Sequence, residues 1–138
     1  MSDIERAEYK TKARAMIMVL AAVVLLITAY LQYGDAQYSG GTARGGSWAL
    51  LVLVWLIILA NGGGIRLRGR MRALLNDELA LQNRSQALTA GFYAAITTSL
   101  IVYVANWSVA IATGDAIKVV TAAALSTALL YFAWLEWR

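Results

Sequence analysis

The chain has 138 residues, 60% of them hydrophobic and only 14% charged, with a formal net charge of +4. Soluble domains carry roughly 25% charged residues, so eight acids and twelve bases are too few to cover a water-facing surface of this size. Cys, His and Pro are absent, which excludes disulfides, thiolate or imidazole metal sites, ordinary haem ligation and a histidine general base.

The N-terminal tail carries Arg6, Lys10, Lys12 and Arg14, and runs into the first apolar segment, ARAMIMVLAAVVLLITAYLQY, at 13–33. A basic head, an apolar run and Gly34-Asp35-Ala36 loosely match a cleaved signal peptide. The run is too long for such a core, and Asp3, Glu5 and Glu8 dilute the head, so the segment is expected to remain as a membrane span. A glycine-rich stretch from Tyr33 to Ser47 reads as an outer loop. The second apolar segment, SWALLVLVWLIILANGGG, occupies 47–64. Its closing Gly62-Gly63-Gly64 suits a left-handed helix C-cap. A phosphate loop would need a preceding strand and a Lys-Ser/Thr ending, and both are missing.

A charged island follows at 65–86. Its first half holds Arg66, Arg68, Arg70 and Arg72, placed to set orientation and to contact anionic headgroups at roughly 1 kcal/mol each. Its second half reads as a short helix leading into the third span, with Asn76 as N-cap and Asp77 and Glu78 in the first turn. Glu78, Gln82, Ser85 and Thr89 form a polar stripe, and Leu74, Leu81 and Leu88 an apolar edge. Asp77 and Arg84 stand two turns apart, too far to pair with each other. Each is therefore expected to find a partner elsewhere. Adjacent carboxylates diverge by about 100° on a helix, so Asp77 and Glu78 make a poor catalytic pair.

The third and fourth apolar segments lie at 87–107 and 116–137, joined by a turn expected at Thr113-Gly114-Asp115. Asp115 then faces the positive end of the fourth helix. Each segment can cross a hydrocarbon core of roughly 30 Å as a helix, and none alternates as a barrel strand would. The expected fold is an all-α membrane protein. It is a four-transmembrane-helix bundle in one domain, 1–138, with a short helical segment before the third span.

Orientation follows from the bases. The tail, the island with Arg84, and Arg138 place ten on one side, leaving Arg44 and Lys118 on the other. The positive-inside rule predicts an inner-membrane protein with the island and both termini cytoplasmic. Tyr30, Tyr33, Trp48, Tyr103 and Trp107 would make the outer aromatic belt; Tyr9, Tyr131, Trp134 and Trp137 would make the inner one. Lys118 is expected to snorkel outward.

No Asp, Glu, Lys or Arg falls near the middle of any span. Small multidrug transporters, also four-helix proteins, depend on a glutamate in the first span, and this first span has none. Ala87, Gly91, Ala95 and Ser99 recur every four residues on the third span and Ala124 and Ala128 on the fourth, which suits close helix packing or a homodimer seam. Thr97, Thr98, Ser99, Asn106, Thr121, Ser126 and Thr127 add mild polarity, read as packing and backbone bonding rather than a permeation path.

NDELALQNRSQALTAGF, residues 76–92, resembles a run in small uncharacterised four-span bacterial inner-membrane proteins. The matching positions are Asp77, Glu78, Arg84, Ala87 and Gly91. Some proteins of this look are encoded beside helix-turn-helix regulators, which implies a sensing or tethering role. The resemblance carries no catalytic assignment. The functional expectation is a non-enzymatic regulatory or interaction subunit, with Asp77, Glu78, Gln82 and Arg84 meeting a cytoplasmic protein. The alternative is a small oligomeric transporter or channel. No cofactor, metal or nucleic acid is expected as a partner; anionic membrane lipid is.

Overall fold

A computed structural model of the chain describes residues 3–33, 41–60 and 78–138, with side chains described at 12–33, 46–60 and 81–138. Among the described residues there are four helices and no strand. They are α1 (Asp3–Leu31), α2 (Gly41–Ala60), α3 (Glu78–Ala105) and α4 (Thr113–Trp137). Three contain stretches long and apolar enough to cross a membrane: Lys12–Leu31, Leu81–Ala105 and Thr113–Trp137.

The second expected span, 47–64, is described only as far as Ala60: its apolar part among the described residues is Gly46–Ala60, about 22 Å at 1.5 Å per residue, and Gly62 to Gly64 lie outside the described residues. At its start α2 differs from the expectation. Gly41–Ser47 was read as loop, yet its backbone is helical. Glycine weakens a helix without forbidding it, and tertiary anchoring decides such cases. Here the anchor is Trp48, buried against Leu25, Ala122 and Leu125.

Contacts between helix ends give the arrangement. Arg14 of α1 meets Glu136 of α4, and Gln32 just past α1 meets Lys118 near the start of α4, so α1 and α4 run antiparallel. Trp48 of α2 reaches Thr121 of α4. Arg84 of α3 reaches Ala60 at the end of α2. The helices therefore alternate in direction, and the described starts of α1 and α3 share an end with the finish of α4.

α4 is the central helix, packed against α1 and α3 and more lightly against α2. Its buried side chains include Ala122, Leu125, Ser126, Ala128, Leu129, Phe132 and Ala133. Alanines bring the neighbouring backbones close, while Leu129 and Phe132 fill the space between. α1 answers with Ala15, Met18, Ala21, Ala22 and Leu25, a stripe at helical spacing. α3 is peripheral. Only 11% of its apolar stretch is buried, against 39% for α4. Phe92, Tyr93, Ile96, Leu100, Ile101 and Tyr103 project outward from it, as side chains solvated by lipid do.

The connection from α3 to α4 also departs from the expected turn. α3 ends at Ala105, and Thr113 is already the first residue of α4. The turn lies between them, where the Asn106 Oδ1 accepts the Ile111 N–H at 2.9 Å. Asparagine side chains close turns in this way, so Asn106 belongs to the loop and not to the polar residues of the spans.

Candidate functional site

Of the partner-binding residues expected from the sequence, Asp77 lies outside the described residues, as do Arg66, Arg68, Arg70 and Arg72. Glu78 opens α3, with its side chain undescribed. Gln82 is exposed. Arg84 donates from Nη1 to the carbonyl of Ala60. The last carbonyls of a helix lack intrahelical donors and carry its negative dipole end, so a guanidinium there caps α2.

The small-residue row meets α4 through its first half. Ala87 and Gly91 are buried, Ala95 is half-buried and Ser99 is exposed. A Cβ at Gly91 would stand 2.8 Å from the Ala124 carbonyl oxygen and 2.9 Å from the Ala128 Cβ. That contact sets the register of α3 on α4. Continuing it along the antiparallel pair brings Tyr131 roughly level with Gln86, and Glu136 level with Leu81.

At that end the Arg14 guanidinium forks onto Glu136. Its Nε donates to Oε2 at 3.0 Å and its Nη2 to Oε1. Only 14% of the Arg14 side chain and 5% of the Glu136 side chain are exposed. Arg14 also covers the Phe132 ring, 5.3 Å from its centroid. From the sequence Arg14 belongs to the basic N-terminal tail and Glu136 has no assigned role. The signal was present: Glu136 is the one acid in the run 116–137, amid Trp134, Leu135 and Trp137.

Between α3 and α4 a groove of about 360 Å³ is lined by Ser85, Gln86, Thr89, Ala90, Tyr93 and Tyr131. The Thr89 hydroxyl donates to the Ser85 carbonyl at 2.9 Å. The polar stripe read from the sequence thus runs from Gln82 down one side of α3 into a recess against α4. Tyr131 leans on Trp134, with ring centroids 5.5 Å apart, and Arg138 stacks over Trp134 at 5.2 Å.

The opposite end is tied separately. Lys118 Nζ donates to the Gln32 carbonyl at 2.8 Å and faces Asp115 Oδ1 at 3.4 Å. Lys118, expected to snorkel toward the interface, reaches the Gln32 carbonyl just past the end of α1. Asp115 sits in the first turn of α4 as expected, and it is buried. Trp48 was assigned to the outer belt. It is 6% exposed and points inward, its indole N–H on Thr121 Oγ1 at 3.3 Å, whereas Tyr30, Tyr33, Tyr103 and Trp107 are exposed.

Hydroxyls within the helices bond locally. Thr28, Ser99 and Thr121 donate to carbonyls four residues earlier, and Ser126 donates to one three residues earlier. Among the described residues, no three His, Cys, Asp or Glu side chains gather to hold a metal ion.

Comparison with protein-family models, curated proteins and solved structures finds no match.

Proposed function

We propose that this chain is a non-enzymatic bacterial inner-membrane protein with both termini cytoplasmic, acting as a regulatory or interaction subunit that binds a partner protein at its inner face. The observation that carries the reading is α3. It is one unbroken helix from Glu78 to Ala105, so the exposed polar stripe beginning at Gln82 is rigidly continuous with a membrane-embedded rod. Arg84 fastens that rod to α2, and the packing of Gly91 fastens it to α4. A stripe held this firmly offers a partner a surface whose ordering cost is already met. The resemblance of residues 76–92 to four-span inner-membrane proteins agrees with such a role.

The test is a photoreactive residue at position 82 in living cells. Adducts to a distinct protein support the reading. If only lipid and self-adducts form, it fails.

A second reading, a small oligomeric transporter or channel, draws on the broad exposed face of α3, which leaves room for another copy. Reconstituted protein that passes no ions or amphipathic cations beyond empty liposomes would remove it.

A further inference from the structure

We infer that the groove between α3 and α4 at the inner end is a binding site for an anionic phospholipid, whose headgroup occupies the recess lined by Ser85, Gln86, Thr89 and Tyr131.

Position is the first ground. Ser85 to Tyr93 fall inside the apolar stretch Leu81–Ala105, and Tyr131 falls inside Thr113–Trp137. The groove therefore opens sideways from the bundle toward lipid, one to two turns deeper than the level of Glu136.

Polarity is the second ground. Toward the helix end the groove offers the Ser85 hydroxyl and the Gln86 amide. Toward the membrane middle it offers Ala90 and the Tyr93 ring, followed by outward-facing Ile96 and Leu100. That is the order of a phospholipid, with headgroup first and acyl chain after. The volume of about 360 Å³ equals on the order of ten waters at ~30 Å³ each, enough for a phosphate with its glycerol.

Charge is the third ground. None of the residues lining the groove is acidic. Tyr131, Trp134 and Arg138 follow one another along the same face of α4, at ring and cation contacts of 5.5 Å and 5.2 Å. The Arg138 cation, held over Trp134, thus lies on the same face of α4 as Tyr131, toward the helix end. The residues that sequence reading gave to anionic lipid were Arg66 to Arg72; this groove is separate from them and is lined by neutral donors.

The experiment is native mass spectrometry of the full chain released from nanodiscs of phosphatidylglycerol or of phosphatidylcholine with the same acyl chains. The wild type is expected to retain the anionic lipid preferentially. Ser85→Asp places a carboxylate in the recess and should lower phosphatidylglycerol retention about fivefold, the equivalent of ~1 kcal/mol for one charge at the membrane surface. Ser85→Asn should keep retention within about twofold, since it adds no charge to that same surface term. Arg138→Gln should narrow the preference between the two lipids. If Ser85→Asp does not fold, Gln86→Glu makes the same test from the neighbouring position. Equal retention of both lipids by the wild type, or unchanged retention in a folded acidic variant, overturns the proposal. So does a photoreactive residue at position 89 that labels polypeptide in place of lipid. That probe reports on the groove alone and leaves the outcome at position 82 free to differ.

Discussion

Arg14, early in the membrane stretch of α1, and Glu136, two residues from the last position of the chain, form a forked ion pair roofed by the Phe132 ring. With 14% and 5% of their side chains exposed, both charges have given up most of their water. Each therefore depends on the other. Removing one partner leaves an uncompensated charge, which is far more costly than removing both.

Arg14→Met or Glu136→Leu alone is accordingly expected to destabilise the bundle by on the order of 3 kcal/mol, while the double variant recovers most of that loss. Unfolding of the four proteins in detergent, read as a double-mutant cycle, checks this. Additive losses would show that the two charges do not depend on each other.

Gly91 gives the sharpest packing test. A methyl group there would stand 2.8 Å from a backbone oxygen of α4, and backbone cannot swing aside as a side-chain tip can. Gly91→Ala should cost about 1–3 kcal/mol through overpacking, despite the higher helix propensity of alanine. Ala95→Gly serves as comparison, since Ala95 lies on the same row, only half-buried. A Gly91→Ala protein as stable as the wild type would show that α3 does not sit on α4 in this register.

Arg84→Ala should leave the last carbonyl of α2 without its donor. The expected loss is about 1–2 kcal/mol, as for hydrogen bonds to a charged group. Hydrogen exchange should rise in the last turn of α2 and the first turns of α3, and not near Lys118. Uniform exchange changes across the protein would contradict a local clasp.

Thr121→Val removes the acceptor of the Trp48 indole N–H. An unsatisfied buried donor costs ~1–3 kcal/mol, and Trp48 should become more accessible to aqueous quenchers. Trp48→Phe in the same background should restore part of the stability, because the orphaned N–H is then gone. Failure of that rescue would mean that the bond to Thr121 contributes little.

A cytoplasmic location for the start of α3 predicts that a reporter fused near Ser85 is active only in the cytoplasm. Activity in the periplasm would reverse the proposed orientation and with it the partner assignment.

Much of this architecture is legible in the sequence, because membrane spans depend on length and apolarity, both of which are local. Runs such as AMIMVLAAVVLLITAYL and KVVTAAALSTALLYFAW leave the chain no option but helix in an apolar solvent. The small-residue row at Ala87 and Gly91 is legible for a related reason: four-residue spacing puts its members on one face wherever the helix goes. Asp115 at the first turn of α4 follows from the same local rules.

Which charges would meet was not legible, since it depends on helices 122 residues apart in the case of Arg14 and Glu136. Composition assigned Arg14 and Lys118 to the membrane surface and Trp48 to an aromatic belt. The tertiary structure gave each a partner on or beside another helix: Glu136 for Arg14, the Gln32 carbonyl for Lys118 and the Thr121 hydroxyl for Trp48. The sequence by itself determined that these segments are helices suited to lipid. Only the packing of α1 and α3 on α4 decided which polar groups close the bundle at its ends and which, at Ser85, Gln86 and Thr89, are left to face something else.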